Sequence, residues 1–572
     1  MAASAESGAT VREIFRWEFD ETGGVVIVAF LDDKATSVEI PAQIDGKPVV
    51  GIGDGAFSLR RALTKISVPD GVRKLGSNAF SRLPALTEIR LPDGLQTIGN
   101  KAFYACKALT EIRLPDGLET LGAGAFENCG SLSAVRVPAS LRHIGAGAFH
   151  WCGALTEFVF PEGLKTLGAN AFAGALLSRE VVLPSGLETL GGGAFTSPVA
   201  ALDVSPENKN FRSVDGVIFS ADGKTLVAYP GGRDASEYVV PLGVEKIGPG
   251  AFENCGKLKK VAFPDGLRSI GAGAFHWCDA LTEIEAPDSL TTVEDDAFSC
   301  CNVLRKICLP KGLRRIGDRA FYSCGYLRSI RLPDDLESIG DEAFYWNVDL
   351  RKIGLPSGLR SIGGKTFGKC RSLTAISVSP KNKNFRSIDG VLFSADGKTL
   401  VAYPPGAKAT VYDVPDGVER VEADAFGEWS PLRKVRFPSG FQTLGDRAFF
   451  ECLCLSEVRF ADGLRSIGAD AFYGCSFLSA VDLPDGLESI GDGAFRGCAS
   501  LTEIALPDGL TTLGDFAFYV CRKLRKIRLP NGLRHIGERA FSGRSSELTF
   551  AVAAGSFAEE YARENGIRFE VY

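Results

Sequence analysis

The dipeptide Ala-Phe, which is Thr-Phe in one copy, recurs every 23 residues along most of this 572-residue chain. A fixed period between 20 and 50 residues is typical of stacked coils, because each short unit buries its apolar face only against its neighbours. The period therefore predicts a repeat solenoid. The repeated residues form runs of seven, six and six: Phe57, Phe80, Phe103, Phe126, Phe149, Phe172 and Phe195; Phe252, Phe275, Phe298, Phe321, Phe344 and Phe367; Phe426, Phe449, Phe472, Phe495, Phe518 and Phe541.

Each repeat shows the same order of local patterns. In one copy, Ile112 and Leu114 alternate with Glu111 and Arg113, which predicts a half-buried strand. The Pro-Asp-Gly turn at 115–117 and the leucines that follow predict a second, shorter extended piece. Apolar residues at 125, 126, 129 and 132 have helical spacing, so we expect a short helix of about two turns there.

The consensus LPxxLxxIGxxAFxxCxxLxxI resembles the BspA-like class of leucine-rich repeats, and the likeness runs from about Val38 to the end of the chain. The resemblance implies an α/β repeat solenoid: a leucine-rich repeat arc with a parallel β-ladder on its concave face and short helical turns on its convex side. It also implies a non-catalytic, adhesin-like surface protein that binds other proteins.

The period breaks twice, and each break holds nearly the same insert. Residues 209–230 and 383–404 differ at two of 22 positions. Each carries an Asp-Gly turn between apolar runs, which predicts a β-hairpin that protrudes from the solenoid edge. The Gly-Lys-Thr at 223–225 is not a phosphate loop, because Ile218 stands where that loop needs glycine. The hairpins are either structural spacers or contact elements.

These patterns predict one continuous array with two caps. Its segments are an N-terminal β cap at 1–46, repeats 1–7 at 47–201, the first hairpin insert at 202–242, repeats 8–13 at 243–375, the second insert at 376–416, repeats 14–19 at 417–545, and a C-terminal helix-strand cap at 546–572.

Composition bounds the compartment and the partners. The net charge of −6 gives no reason to expect a nucleic-acid partner, and no apolar run is long enough to span a membrane. The N-terminus lacks the apolar stretch of a secretory signal, which predicts a cytoplasmic protein. The alternative is a surface or secreted location reached without a classical signal.

Fifteen cysteines raise the question of metals or disulfides. Twelve of them lie three residues after a repeated phenylalanine, in a column that also accepts Leu83 and Ala175. That substitution pattern predicts a buried slot for small side chains. Reduced thiols also favour a reducing compartment. With no paired CxxC spacing and no HExxH or GxSxG motif, we expect no metal, no cofactor and no enzymatic activity.

Outward positions of the predicted strand ladder are the candidate binding surface. In the early repeats these positions alternate in charge, with Glu88 beside Arg90 and Glu111 beside Arg113, which predicts self-compensation. The middle repeats differ, because residues 304–360 contain 11 basic and 7 acidic side chains. We therefore predict a docking site for an acidic protein or glycan at Arg305, Lys306, Arg328, Arg331, Arg351 and Lys352.

Two other functions remain open. Aromatic residues that follow the repeated phenylalanine indicate a glycan-binding surface, namely Tyr104, Trp151, Trp277, Trp346 and Tyr473. Alternatively, the chain is chiefly a structural spacer. Binding of another protein is the preferred prediction, either as an adhesin or as an intracellular scaffold, and the sequence does not identify the oligomeric state.

Overall fold

The computed structural model describes residues 2–3, 8–195, 198–428 and 430–572. The chain divides into two compact units, Met1–Leu281 and Thr282–Tyr572. Within each unit, strands of successive coils pair in parallel with a register offset of 23 residues, as in Glu111↔Ala134 and Lys434↔Glu457. This arrangement confirms the parallel repeat solenoid that the period predicts.

A coil contains two strands, and each joins its own ladder. Glu111–Arg113 pairs with Ala134–Arg136 in what we call the first ladder. Thr120–Leu121 pairs with His143–Ile144 in the second ladder. Along Glu111–Arg113 the side chains alternate between exposed and buried, so the outward positions of the first ladder face solvent.

The first unit contains both ladders and an N-terminal cap. Its first-ladder strands are Ala2–Ala3, Ser37–Glu39, Lys65–Ser67, Glu88–Arg90, Glu111–Arg113, Ala134–Arg136, Glu180–Leu183, Ala201–Val204, Glu237–Val239 and Lys260–Ala262. Its second-ladder strands are Lys74–Leu75, Thr97–Ile98, Thr120–Leu121, His143–Ile144, Thr166–Leu167, Thr189–Leu190, Lys246–Ile247 and Ser269–Ile270. The cap adds helix Gly8–Ile14 and strands Phe15–Phe19, Val25–Phe30, Gln43–Ile44 and Lys47–Ile52, and the insert adds Phe211–Val214, Val217–Ser220 and Thr225–Ala228.

The second unit has the same plan. Its first-ladder strands are Glu283–Glu285, Lys306–Cys308, Ser329–Arg331, Lys352–Leu355, Ala375–Val378, Val411–Asp413, Lys434–Phe437, Glu457–Phe460, Ala480–Asp482, Glu503–Ala505, Lys526–Arg528, Thr549–Val552 and Arg568–Val571. Its second-ladder strands are Thr292–Val293, Arg315–Ile316, Ser338–Ile339, Ser361–Ile362, Arg420–Val421, Thr443–Leu444, Ser466–Ile467, Ser489–Ile490, Thr512–Leu513 and His535–Ile536. The insert contributes Phe385–Ile388, Val391–Ser394 and Thr399–Ala402, and helix Phe557–Glu564 belongs to the C-terminal cap.

The segment around each repeated phenylalanine is a series of turns, so the predicted short helix is wrong. Successive hydrogen bonds there span three residues, as from the N–H of Cys129 to the carbonyl of Phe126 at 3.2 Å. Asn128 has a φ of 65°, and the equivalent Ala105 has 59°. Because a right-handed helix cannot contain a left-handed residue in its middle, this backbone ends every helical turn after one cycle. We call the segment the turn stack.

The turn stack is bonded from coil to coil as regularly as the ladders are. The N–H groups of Gly124, Phe126 and Asn128 each donate to a carbonyl of the next coil at 2.8 Å. Inside the stack the phenylalanine rings lie face to face, with the centroids of Phe103 and Phe126 5.0 Å apart and their planes inclined by 3°. Both rings are fully buried, which places this ring column in the core.

The inserts are coils of the solenoid, so the prediction that they protrude from its edge is wrong. The third strand of the first insert, Thr225–Ala228, pairs in parallel with Lys246–Ile247 of the second ladder. In the second insert, Thr399–Ala402 pairs in the same way with Arg420–Val421. Residues on both faces of the middle strand, Val217–Ser220, are buried, and burial of this apolar run holds the hairpin in the solenoid wall.

Each insert also contributes a tyrosine to the ring column. Tyr229 and Tyr403 lie 23 residues before Phe252 and Phe426, so Ala-Tyr takes the place of Ala-Phe. The Tyr229 and Phe252 centroids are 5.0 Å apart, and the corresponding distance between Tyr403 and Phe426 is 5.3 Å. Each insert is therefore a lengthened coil that keeps the register of the coils after it.

The C-terminal cap contains the predicted helix and strand. Ser556 caps helix Phe557–Glu564 by accepting a hydrogen bond from the N–H of Glu559. Strand Arg568–Val571 then pairs in parallel with Thr549–Val552 and completes the first ladder. At the other end, the predicted β cap contains strands Phe15–Phe19 and Val25–Phe30, together with an unexpected helix, Gly8–Ile14.

Candidate binding surface

The six cations predicted as a docking site lie on neighbouring strands of the first ladder. Strands Lys306–Cys308, Ser329–Arg331 and Lys352–Leu355 are successive partners, with Cys308 opposite Arg331 and Ser329 opposite Lys352. Strand spacing of about 4.8 Å brings their outward side chains close together. We call these exposed cations the basic patch: Arg305, Lys306, Arg328, Arg331, Arg351 and Lys352.

Local contacts of the basic patch are few. Lys306 Nζ lies 3.3 Å from Glu285 Oε1, and this contact raises the pKa of Lys306. The Arg305 guanidinium lies 5.9 Å from the centre of the Tyr326 ring. Tyr326 carries little sequence signal, because among the repeats only Phe477 places another aromatic residue at this position. Within the described ranges, the other four cations of the patch form no ion pair.

Acidic residues of the same coils are used elsewhere. The carboxylates of Asp318 and Asp341 accept backbone N–H groups of the next coil at 2.8 Å. Glu337 pairs with Arg314 at 2.6 Å and with Arg360 at 3.8 Å, beside the second ladder. The excess positive charge of residues 304–360 is therefore concentrated on the outward side of the first ladder.

The charged positions of the early repeats are placed as predicted but pair differently. Glu88 contacts Lys65 of the preceding coil at 2.8 Å, and Arg113 contacts Asp116 at 3.8 Å. Arg113 also lies opposite Arg136 in the ladder. Neighbouring strands are closer than residues two apart on one strand, so coil-to-coil partners compete with the predicted pairs Glu88–Arg90 and Glu111–Arg113.

The aromatic residues proposed for glycan binding lie on the turn stack, each in a different coil. Trp151, Trp277 and Trp346 are 58%, 43% and 47% exposed. Tyr104 and Tyr473 are half-buried. Cations lie over Tyr104, Tyr473 and Trp346, namely those of Arg82 and Lys101, of Arg496 and of Lys369. The tryptophans are therefore the accessible aromatic groups of this set.

Two of these tryptophans follow a histidine that lies near a glutamate of the previous coil. The His150 Nδ1–Glu127 Oε1 and His276 Nδ1–Glu253 Oε1 distances are both 3.8 Å. Burial, only partly offset by Glu127, lowers the pKa of His150. Burial raises the pKa of Glu253 to about 7.

Catalytic or metal-binding groupings are not evident in the part of the chain that the structure describes. No group of three or more His, Cys, Asp or Glu side chains could hold a metal ion there. His143 contacts the Thr166 hydroxyl at 3.2 Å on the exposed second ladder. Among the described residues no helix has both the length and the apolar character needed to cross a bilayer.

One protein family has a sequence pattern that matches the chain, described as a BspA type leucine-rich repeat region. Its six matches cover residues 28–153, 73–200, 234–346, 303–395, 406–492 and 465–556. No curated protein sequence matches the chain.

Several solved structures are similar to this chain at low sequence identity. The pneumococcal vaccine antigen PcpA is 23% identical, with 64% of this chain and 87% of that chain covered and a TM-score of 0.47. A leucine-rich cell surface protein from Faecalibacterium prausnitzii is 20% identical, with 96% and 95% covered and a TM-score of 0.29. A leucine-rich repeat protein from Bacteroides ovatus is 20% identical, with 98% of each chain covered and a TM-score of 0.28.

Proposed function

Because this chain belongs to the BspA type leucine-rich repeat family, we propose that it is a non-catalytic recognition scaffold that binds an acidic protein through the basic patch. The observation that carries the proposal is a set of exposed cations on adjacent strands, of which Arg328, Arg331, Arg351 and Lys352 have no ion pair within the described residues. Evenly spaced guanidinium groups suit a partner with several carboxylates, because each can donate two parallel hydrogen bonds.

Exposed charge pairs contribute little individually, so such a surface acts mainly through its summed field. The complex should form quickly at low salt and weaken as salt screens the charges, with a screening length of about 10 Å at about 0.1 M. Tyr326, half exposed beside Arg305, supplies an apolar contact at the edge of the patch.

Affinity capture from the source cell and its surroundings tests this proposal. The variant R305S/R328S/R351S is expected to lose partners that the unchanged chain retains at about 50 mM salt and releases at about 500 mM salt. The control variant R314S/R360S/R465S removes the same charge from the second ladder, where Glu337 and Glu488 already pair with these arginines. Equal capture by the unchanged chain and by the patch variant contradicts the proposal.

The compartment is a separate part of the proposal. Cys152 is fully buried, and burial raises its pKa to about 12, so this thiol stays protonated and shielded in an oxidising medium as well. The thiol column therefore supports neither compartment over the other, and we propose the cell surface, as the family resemblance implies. Surface labelling of intact source cells tests this, because a cytoplasmic protein escapes the label.

Glycan binding is the second candidate, and the exposed tryptophans favour it. Trp151, Trp277 and Trp346 have φ values of 60°, 58° and 62°, a conformation that suits glycine better than a bulky residue. A glycan array tests this function with W151G/W277G/W346G, since glycine at these positions preserves the backbone. Array signals that survive in this variant contradict glycan binding by the tryptophans. If neither the affinity capture nor the glycan array detects a ligand, the chain acts as a structural spacer.

A further inference from the structure

A cavity of about 390 Å³ lies at the second insert. One wall is the turn stack of the coil that contains Phe367, and the opposite wall is the segment 422–425 that leads to Phe426. Part of the lining is apolar. It includes the side chains of Phe367, Phe385, Val401, Tyr403 and Pro405.

In most described coils of this unit the turn stack is closed by hydrogen bonds from one coil to the next. In the coil of Phe449, the N–H groups of Arg447, Phe449 and Glu451 donate to the next coil, each at 2.8 Å. Just before the cavity, Phe344 donates in the same way to the carbonyl of Thr366 at 3.1 Å. Three hydrogen bonds per coil are therefore the rule, and each joins one coil directly to its successor.

At the cavity this pattern is interrupted on both walls. The N–H groups of Lys365, Phe367 and Lys369 stand where those three donors stand in other coils, and they reach no acceptor in the described ranges. On the facing wall, the Ala425 carbonyl accepts from Tyr403 at 2.7 Å. The Ala423 carbonyl accepts no hydrogen bond from any described residue.

The first insert closes part of the equivalent position. Gly193 donates directly to the carbonyl of Gly250 at 3.1 Å, and a Cβ on Gly192 would come within 1.9 Å of the Pro249 carbonyl oxygen. The second insert is longer, since Tyr403 follows Phe367 by 36 residues whereas Tyr229 follows Phe195 by 34. Among the described residues, both inserts leave a phenylalanine N–H and a facing carbonyl without a partner, Phe195 and Pro249 in the first and Phe367 and Ala423 in the second. The second insert differs in its longer coil and in the Lys365 N–H, which has no acceptor whereas the equivalent Gly193 N–H has one.

Three charged side chains line the cavity, namely Lys365, Glu422 and Asp424. Lys365 Nζ lies 3.6 Å from Asp424 Oδ1, so these two charges offset each other. The remaining charge of the lining is the Glu422 carboxylate, which disfavours an anionic ligand and is compatible with a neutral one.

We propose that the cavity binds a short extended peptide segment with one apolar side chain. Peptide carbonyls would accept from the free donors on one wall, a peptide N–H would donate to the Ala423 carbonyl on the other, and the apolar side chain would pack against the apolar part of the lining. This is strand-like peptide addition at an open position of a hydrogen-bonded stack. The proposal rests on the proposed function in taking the ligand to be a protein segment, and it uses none of the basic patch.

Titration of the full chain with acetyl-Ala-Phe-Ala-amide tests the site by calorimetry or saturation-transfer NMR. We expect saturable binding with a Kd on the order of 1 mM or tighter. The analogue methylated on the phenylalanine nitrogen should bind at least about tenfold more weakly, because it cannot donate to Ala423. The proposal is overturned if acetyl-Ala-Phe-Ala-amide does not saturate the unchanged chain. It is also overturned if the methylated analogue or acetyl-Ala-Ala-Ala-amide binds as tightly as that peptide.

A cavity-filling variant locates the binding. The atoms nearest to a Cβ on Gly364 would be Asp341 Oδ1 at 3.9 Å and Asp424 Oδ2 at 4.0 Å. Gly364→Leu therefore fills the mouth without a backbone clash and should abolish binding. Gly130→Leu is the matched control and should bind the tripeptide normally. A Cβ on Gly130 would meet no atom within 4 Å, and its coil forms all three hydrogen bonds to the next coil. Retained binding by Gly364→Leu overturns the proposal. If that variant is unstable, the methylated peptide remains decisive.

The same reagents separate this site from the proposed function. R305S/R328S/R351S should bind the tripeptide as the unchanged chain does, and Gly364→Leu should retain acidic partners. Loss of tripeptide binding in the patch variant contradicts the cavity site. Loss of acidic partners alone in that variant supports the basic patch and leaves the cavity site unaffected.

Discussion

At the scale of single residues, the column three positions after each repeated phenylalanine is a hydrogen-bonding position as well as a packing slot. Cys129 Sγ donates to the carbonyl of Phe103 at 3.0 Å, and Cys475 donates to that of Phe449 at 3.1 Å. Asn347 occupies the same position and donates its amide to the carbonyl of Phe321 at 2.8 Å. The sequence predicts the burial of this column from its small residues, but the donor role depends on where the carbonyl points.

Asn347→Cys is expected to leave the free energy of unfolding unchanged or to raise it by about 1 kcal/mol. The thiol keeps a donor in place, while the change removes the Asn347 Oδ1 atom, which is buried without a partner. Asn347→Ala should instead lower stability by about 2 kcal/mol, because the carbonyls of Phe321 and Phe344 lose their amide donor. Urea denaturation of both variants measures their free energies of unfolding. An alanine variant as stable as the cysteine variant contradicts the prediction.

Glu253 makes stability depend on pH near neutrality. Burial raises its pKa to about 7, so the folded chain holds this proton at pH values where the unfolded chain has released it. Its contribution to stability therefore falls as pH rises from the usual glutamate range to about 7. Glu253→Gln should match the unchanged chain at about pH 4.5 and exceed its stability at about pH 8.

Denaturation midpoints at these two pH values measure this effect. Glu127→Gln is the matched control, because its carboxylate has the same histidine contact but is 26% exposed, against 12% for Glu253. A constant difference between Glu253→Gln and the unchanged chain at both pH values contradicts the prediction.

At the scale of elements, the strands were more predictable than the turn stack and the inserts. Alternation of the kind seen at Glu111–Arg113 specifies one buried face and hence a strand. Apolar spacing around Phe126 fits a helix and a run of turns equally well, and the left-handed residue that decides between them varies in type, as Asn128 and Trp151 show. The spacing of phenylalanine alone does not reveal the register of the inserts, whereas Ala-Tyr at the same spacing does.

Tyr229→Phe is expected to raise the free energy of unfolding by about 1 kcal/mol. The Tyr229 ring belongs to the ring column, but its hydroxyl is buried without a partner. Tyr403→Phe changes the same place in the second insert. It should stabilise the protein less, because the Tyr403 hydroxyl is not fully buried without a partner. Thermal denaturation of both variants provides the comparison, and a greater gain for Tyr403→Phe contradicts it.

At the scale of the whole molecule, each described coil is stabilised by the coils it contacts. The period predicts this dependence, because a single coil can bury its apolar side chains only by stacking. The basic patch was also predictable, because residues 23 positions apart lie opposite each other on successive strands of the first ladder. The cavity at the second insert was not, because it depends on which turn-stack hydrogen bonds form around an irregular coil.

Removing residues 553–572 is expected to cause self-association. Helix Phe557–Glu564 buries Ala558 and Ala562, and strand Arg568–Val571 pairs with Thr549–Val552, whose Phe550 is fully buried. Without them, that strand becomes an open edge with an uncovered aromatic core. Sedimentation should show oligomers or aggregates, while the capping variant Ser556→Ala should remain unassociated and lose about 1 kcal/mol of stability. A monodisperse truncated protein with an unchanged melting temperature contradicts the prediction.

The near-identity of the two inserts has a consequence for how such a chain can change its length. The sequences at 209–230 and 383–404 match at all but two positions and are 174 residues apart. Unequal recombination between their coding segments would remove or duplicate that whole block in frame. Strand Thr225–Ala228 pairs with the next second-ladder strand in the same way as Thr399–Ala402 does. After such an exchange, the strand of the remaining insert would therefore pair with the coil that follows it in the same register. Related genomes should therefore carry shorter and longer versions of this protein that differ by whole blocks.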